Sequence, residues 1–330
     1  MLRYFIKRSL IALVTLFAIS VATFALFFAG SANPAAQMCG QKQCDSVKIA
    51  RINKALELDK PLYTQYSTFM KGIATGRTIG EGADAIQCPA PCFGVSFRSN
   101  EAVSSILARA MPVTVSIAVG ATFFSVLFGL LLGIASALKR GSWLDKFAIG
   151  FTLTGASLQI FFVGLVLLQI FVYSLHWWPK PAYVSPFEDP VGWLVGMSLP
   201  WFTLGLLGAS GYARYARAEM LEILSEDFVR TARAKGLSNR VVNIKHALRA
   251  ALASITTLVG LSLGGILGGA AITETTFDLQ GVGKVSLKAI NDDNFPIVMT
   301  TVLLAAVFVV LSNVIVDMLY AVIDPRVKLA

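Results

Sequence analysis

Charged side chains are scarce in this 330-residue chain, and histidines are almost absent. Asp, Glu, Lys and Arg together make up 14% of the residues, whereas soluble proteins usually carry about 25%. Hydrophobic residues make up 55%, and the mean hydropathy is +0.68. This composition excludes an ordinary soluble domain and indicates an integral membrane protein. The formal net charge of +9 is better explained by Lys and Arg on the cytoplasmic side of a membrane than by nucleic-acid binding.

Motifs of catalysis and metal binding are also missing from the sequence. The two histidines, His176 and His246, lie far apart, and there is no HExxH pattern or cluster of metal ligands. Residues 281–286 look like the end of a phosphate-binding loop. However, Asp278 stands where the first glycine would be, and Val285 follows the lysine. We therefore predict no catalytic residue, no metal site and no cofactor in this chain.

Six apolar runs are long enough to cross a membrane as helices. They cover residues 10–29, 111–138, 147–173, 192–212, 250–273 and 296–320. A cleaved signal peptide is the alternative for the first run, but the apolar core of such a peptide has only about 7–15 residues. The first run has 20 residues, so we interpret it as a span that stays in place. The sequence thus predicts an all-α polytopic membrane protein with six transmembrane helices.

Lys and Arg are distributed unequally between the two sides of these six spans. The segments that share a side with the termini hold 16 of them, and the short loops on the other side hold only Lys180, Lys284 and Lys288. Positive residues concentrate in cytoplasmic loops. We therefore predict that both termini are cytoplasmic.

Three regions follow from this arrangement. Residues 1–30 form the N-terminal tail and first span, residues 31–109 form an extracytoplasmic helical cap, and residues 110–330 form a five-helix core with a cytoplasmic loop at 214–249. All the cysteines lie in the cap: Cys39, Cys44, Cys88 and Cys92. An oxidising compartment favours disulfides. Four cysteines allow three pairings, and the sequence leaves them all open.

The spans contain few groups that could bind a coupling ion. The second to fifth have no acidic or basic residue in their apolar interiors, which argues against an ion-coupled transporter. Uncharged candidates for lining a passage are Thr152, Ser157, Gln159, Gly264 and Gly268. The alternatives are hydrogen bonds between helices for the polar residues and close helix packing for the glycines.

The cytoplasmic loop contains a short amphipathic helix by its residue spacing. Apolar residues recur every three or four positions, at Leu221, Leu224, Phe228, Val229 and Ala232. The acidic residues come early in the helix and the basic ones late, which suits the helix dipole, and the following glycine is typical of a helix end. We interpret the apolar stripe as exposed and docked onto a partner protein. A solvated loop is the alternative.

The same loop resembles a known family. Phe228-Val-Arg-Thr-Ala-Arg-Ala-Lys-Gly236, followed by His246-Ala-Leu-Arg249, is similar to the cytoplasmic "EAA" loop of ABC-importer permeases. The resemblance is to the dipeptide, oligopeptide and nickel branch, and within it to oligopeptide-permease-B-like subunits. Further landmarks are Glu274-Thr-Thr-Phe277 with Gly281-Val-Gly283. The resemblance implies a type I importer permease fold in which the short helix seats in a groove of an ATPase subunit. The residues implied in coupling are Glu226, Asp227, Phe228, Arg230, Thr231, Ala232, Arg233, Ala234, Lys235 and Gly236.

The resemblance also implies function and partners. The chain is expected to be one permease subunit of a binding-protein-dependent importer of di- or oligopeptides in the bacterial inner membrane. Its expected partners are a homologous second permease, two ATPase subunits that bind ATP and Mg, and an extracytoplasmic peptide-binding protein. Nickel is the alternative substrate within the branch, and an ion-coupled secondary transporter is the alternative outside it.

One segment departs from the family pattern. Residues 78–93, which carry two of the cysteines, look like an insertion. The alternatives are that this segment braces the cap or that it contacts the binding protein.

Overall fold

The computed structural model describes residues 2–28, 35, 46–79, 85–96, 98–267 and 270–323. These residues are mostly helical. The helices are α1 Leu2–Phe28, α2 Ser46–Ala55, α3 Leu62–Thr75, α4 Val103–Leu138, α5 Trp143–Ser157, α6 Ile160–Leu167, α7 Pro190–Ser225, α8 Asp227–Ala234, α9 Asn239–Val241, α10 Arg249–Leu267, α11 Ala271–Thr276, α12 Val282–Asn291 and α13 Phe295–Ile323. Two π-helical segments, Leu168–Ser174 and Val242–Leu248, continue α6 and α9.

Membrane-crossing length is reached by four of the described helices. Their spanning parts are Ile6–Phe28, Val103–Leu138, Pro190–Ser225 and Phe295–Val316. The count rises to six if each of two bent helix pairs is one span. The pairs are Trp143–Ser157 with Ile160–Ser174, and Asn239–Leu252 with Ser254–Leu267. The structure therefore confirms a membrane protein with four to six candidate spans.

The third predicted span, residues 147–173, is broken into two helices. The two halves meet at 102°, because Leu158 and Gln159 adopt an extended backbone. Each half packs on a different neighbour through a glycine. Gly155 touches Ser210 of α7, and Gly164 touches Thr276 of α11.

Helices α4 and α7 run parallel and form the centre of the fold. Glycines bring their backbones together: Gly129 meets Tyr212, Gly133 meets Ala213, and Gly205 meets Phe124. Small residues permit this close approach, which stabilises helix pairs in lipid. Each helix also contains one proline, Pro112 in α4 and Pro200 in α7.

The glycines of α10 also serve helix packing. A side chain at Gly260 would overlap Val316 of α13, and one at Gly264 would press on Ser312. Helix α1 lies on the far side of α13, where Phe24 packs with Phe69 of α3 and Met299. The described part of α10 is thus fixed to α13 by its glycine face.

The cap, defined here as the described residues between 46 and 102, contains strands as well as helices. Strand β1 (Arg77–Ile79) pairs antiparallel with β2 (Ile86–Cys88), and β3 (Val95–Ser96) pairs with β4 (Glu101–Ala102). The all-α prediction was wrong here, because a segment rich in glycine and proline does not support a helix.

The end of the molecule at the cap is called the cap side, and the opposite end, where residues 226–248 lie, is called the loop side.

A disulfide joins Cys88 to Cys92. Both cysteines are buried with Ile79, Val95 and Ala102, so this part of the predicted insertion forms a small core of the cap. This pairing belongs to one of the three connectivities left open by the sequence. Cys39 and Cys44 lie outside the described residues.

A buried carboxylate organises the connection between α11 and α12. Glu274 is fully buried and accepts hydrogen bonds from Thr114 Oγ1 and from the backbone N–H of Lys284, each at 2.7 Å. Thr114 Oγ1 accepts in turn from the N–H of Val282 at 2.8 Å. Burial raises the pKa of Glu274 above its ordinary value, and these hydrogen bonds oppose the rise. A side chain at Gly281 would overlap the carboxyl group, which explains the Glu274-to-Gly283 motif in structural terms.

We expect Thr114→Val to destabilise this connection while the chain still inserts into the membrane. Valine keeps the shape but removes one of the hydrogen bonds to Glu274 and leaves the Val282 N–H without a partner, and an unsatisfied buried group costs about 1–3 kcal/mol. The measurement is the melting temperature of the purified protein in detergent. Thr114→Ser retains the hydroxyl and is the control. Equal melting temperatures for the valine and serine variants would contradict the role of the hydroxyl.

Candidate functional site

The candidate site is the short helix α8, which follows α7 after a single extended residue. Glu226 has φ −66° and ψ 150°, so the chain turns sharply before α8 begins at Asp227. The helix ends as predicted at Gly236, which has φ +79°. The N–H of Gly236 donates to Arg233 O at 2.9 Å, and the N–H of Leu237 donates to Ala232 O. These two bonds form a Schellman end, which requires a left-handed residue.

One face of α8 is buried within the chain itself. Val229 is fully buried and Ala232 is 8% exposed. They pack against Met220 of α7, Val242 of the second π-helical segment and Ala251 of α10. The prediction of an exposed apolar stripe is therefore wrong for Val229 and Ala232, whereas Phe228 of the same stripe is exposed. The turn at Glu226 folds α8 back onto the ends of the spans, so that Leu221 and Leu224, which lie on α7, also join this cluster.

The opposite face of α8 is exposed and carries both apolar and cationic groups. Phe228 is 46% exposed, and Arg230, Thr231, Arg233 and Lys235 are exposed beside it. We call these five residues the docking face. Arg230 makes only a loose ion pair of 3.5 Å with Asp227, in which both side chains are largely exposed. Such pairs contribute little, so Arg230 remains available to a partner. Ala234 and Gly236 are exposed as well.

Three exposed apolar residues extend the docking face, and the sequence reasoning did not assign them to the site. Leu237 is 41% exposed, Val241 38% and Ile244 56%. Their signal in the sequence is the alternation of apolar and polar residues after Gly236, which indicates a second amphipathic segment at residues 241–248. Six Lys and Arg residues and two acidic residues lie between 226 and 249. This surface suits a partner that has an apolar pocket and an acidic rim.

Two polar ties fix the base of this site to the spans. Asp145 is buried and accepts from Arg217 Nε at 2.7 Å, from Ser136 Oγ at 2.6 Å and from the N–H of Gly141 at 2.9 Å. This tie joins α4, α5 and α7. Ser254 of α10 donates to Glu219 of α7 at 2.6 Å. Sequence reasoning missed both ties, because pairs between distant residues have no spacing signal.

The residues predicted to line a passage, here called the passage candidates, lie in several parts of the fold. Thr152 and Ser157 donate to carbonyls of their own helix, Ile149 O and Leu153 O. Gln159 lies at the 102° break, and Gly264 faces Ser312. Gly268 lies outside the described residues. The structure does not bring these residues together, and their role in a passage stays a prediction.

A cavity of about 940 Å³ opens between α4, α7, α10 and α11. Its described lining includes Thr122, Tyr212, Arg214, Tyr215 and Ser262, and none of the passage candidates above. In the part of the chain that the structure describes, no group of three or more His, Cys, Asp or Glu residues is placed to hold a metal ion.

Comparison with known families matches nearly the whole chain. Residues 129–329 match the family described as "Binding-protein-dependent transport system inner membrane component". Residues 1–118 match the family described as "Binding-prot-dependent transport system membrane comp, N-term".

Curated relatives are similar over the full length. A dipeptide transport system permease of Alkalihalophilus pseudofirmus is 33% identical over 99% of this chain and 100% of its own. A di/tripeptide transport system permease of Pseudomonas aeruginosa is 34% identical over 99% of both chains. A glutathione transport system permease of Salmonella typhimurium is 33% identical over 99% of both.

A solved structure has a similar fold. It is a chain of the MetNI methionine ABC transporter in inward-facing conformations, with a TM-score of 0.53. The likeness covers 67% of this chain and 97% of that one at 16% sequence identity, so it bears on the fold alone.

Proposed function

Since this chain belongs to the family of inner membrane components of binding-protein-dependent transport systems, we propose that it is a permease subunit of an ABC importer for di- or oligopeptides. The observation that carries the proposal is the identity of about a third, over the full length, to permeases of dipeptide, di/tripeptide and glutathione transport systems. The family consists of transport subunits that are not catalytic, so the chain itself is not an enzyme.

The docking face gives this subunit a route to an energy source. We assign ATP and Mg to separate ATPase subunits on the cytoplasmic side, which would receive Phe228 and the flanking cations. The buried pair Val229 and Ala232 holds α8 against the spans, and the two polar ties join α7 to α4, α5 and α10. A displacement of α8 therefore carries α7 and α10 with it.

The remaining partners and the sidedness follow from the same assignment. We place six spans in the bacterial inner membrane, both termini in the cytoplasm, and the cap outside, where a peptide-binding protein would dock. A homologous second permease would complete the passage. The described residues do not close the cavity of about 940 Å³, and this incompleteness supports a second subunit.

The test is transport by the whole importer in proteoliposomes. Wild-type subunits, loaded binding protein and internal ATP are expected to give uptake of labelled di- or oligopeptides that stops without ATP or without binding protein. Uptake of nickel, without uptake of peptides, under these conditions would identify nickel, the alternative substrate, as the transported species. Uptake driven by an ion gradient, with no ATPase present, would overturn the assignment.

A further inference from the structure

The cavity between α4, α7, α10 and α11 is an elongated groove. Along α7 its lining extends from Leu204 to Ala218, which is about 21 Å at 1.5 Å per residue. An extended peptide covers at most about 3.3–3.6 Å per residue. The groove therefore has the length of about six extended residues and is large enough for a short peptide.

Thr122 has a polar group that no residue in the described part of the chain satisfies. Its side chain is 94% buried, lines the groove, and has a hydroxyl without a hydrogen-bond partner. Threonines within helices commonly donate to the carbonyl four residues earlier. Thr203 and Thr256 do so, at 2.8 and 2.7 Å. Thr122 does not, and its hydroxyl oxygen is buried as well as unpaired, so the side chain must rotate before it meets a molecule in the groove.

Arg214 places an uncompensated positive charge in the same groove. It is exposed on α7, and no acidic residue is among the described residues that line the groove. Arg217, one helical turn away, has its charge held by the buried Asp145. No described carboxylate lies within ion-pair distance of Arg214. The two arginines thus differ: the first faces the groove and the second joins helices.

We propose that Arg214 receives the carboxylate of the transported peptide on the loop side of the groove, and that Thr122 contacts the peptide nearer the middle of the spans. The inference rests on the proposed function and adds to it a residue that recognises the substrate. A guanidinium binds a carboxylate through charge-assisted hydrogen bonds, and an apolar wall strengthens them. The free hydroxyl of Thr122 suits an amide N–H or C=O of the peptide.

The positions of Thr122 and Arg214 along their helices determine which of them an entering peptide meets first. Gly120 packs on Trp201 and Gly129 on Tyr212, so Thr122 lies level with the residues just after Trp201. Arg214 is therefore about 15 Å closer to the loop side. A dipeptide spans about 7 Å and reaches one group at a time. A peptide that enters from the cap side meets Thr122 first and Arg214 later.

The test uses the complete importer in proteoliposomes with a labelled peptide that has a free carboxylate. Arg214→Gln is expected to lower ATP-dependent uptake about tenfold, which corresponds to about 1.4 kcal/mol, and Arg214→Lys to retain most of it. Arg140→Gln is the matched control, because Arg140 is an exposed cation on the loop side outside the groove lining. It should leave uptake unchanged.

Chemical rescue separates recognition from a structural role. Arg214→Cys is treated with an amine-bearing thiosulfonate, which restores a cation, or with a methyl thiosulfonate, which does not. Only the amine reagent should restore uptake, and loaded binding protein with ATP should slow modification at position 214 but not at Arg140→Cys. Wild-type importer given the same reagents controls for the native cysteines.

Three results would overturn the inference: uptake by Arg214→Gln within twofold of wild type, rescue by the methyl reagent as well, or no protection by peptide. Rescue without protection would identify Arg214 as an anchor to lipid phosphate. Failure of the wild-type importer to take up any peptide is a separate outcome, because it rejects the proposed function before the variants are compared.

Discussion

Replacing Phe228 by alanine is expected to weaken binding of the ATPase subunits to this permease about thirtyfold. Phe228 is the large apolar side chain of α8 that stays half exposed after the helix has packed on its own core. Cations surround it at Arg230, Arg233 and Lys235. Truncating an aromatic anchor in a packed pocket costs about 2 kcal/mol or more, which corresponds to about thirtyfold in affinity.

The measurement is titration of purified ATPase subunits onto the permease in nanodiscs. Phe187→Ala is the matched control, because Phe187 is 96% exposed but lies on the cap side between α6 and α7. That variant should bind like wild type. Phe228→Ala should insert normally and keep its melting temperature, since the lost side chain contributes to a partner surface. Equal affinities for the two variants would show that Phe228 is not an anchor.

Replacing Gly236 by valine is expected to lower coupled transport about thirtyfold to a hundredfold. Gly236 has φ +79°, a conformation that costs a β-branched residue about 2–3 kcal/mol. A side chain at this position would meet no atom within 4 Å, so the effect comes from the backbone alone. Loss of the Schellman end releases Leu237 and reduces the fraction of molecules in which the docking face is formed, and apparent affinity falls in proportion.

A graded series tests this cause. Asparagine tolerates the left-handed region better than other residues that have a side chain, so Gly236→Asn should stay close to wild type, with Gly236→Ala between asparagine and valine. Peptide uptake and the stimulation of ATP hydrolysis by loaded binding protein are measured together. Equal losses for asparagine and valine would instead indicate that the partner contacts position 236 directly.

Local signals predicted a large part of this fold. Apolar length marked the spans, and the helix-ending glycine at 236 was assigned correctly because its cause lies within α8 itself. The resemblance at residues 228–236 led to the right family. These features depend on neighbours in sequence, which a single chain displays.

Features that depend on distant contacts were not predicted. The break before Gln159 has no proline or charge to mark it, and the glycines on either side of it, Gly155 and Gly164, pack on helices far away in the chain. The burial of Val229 depends on the turn at Glu226 and on Val242. The tie between Asp145 and Arg217 joins residues that are 72 positions apart. In each case the decisive neighbour is invisible in the local pattern.

The single proline in each central helix has a consequence for how motion divides along the molecule. From Trp201 to Ser225, α7 is an uninterrupted rod of about 37 Å that glycine contacts clamp to α4. A displacement of the docking face should therefore be transmitted along α7 to the middle of the spans. Pro200 and Pro112 each interrupt the backbone hydrogen bonding on the cap side of this rod. We expect the cap-side segments to bend there, so the cap-side and loop-side ends of the two helices need not move by equal angles.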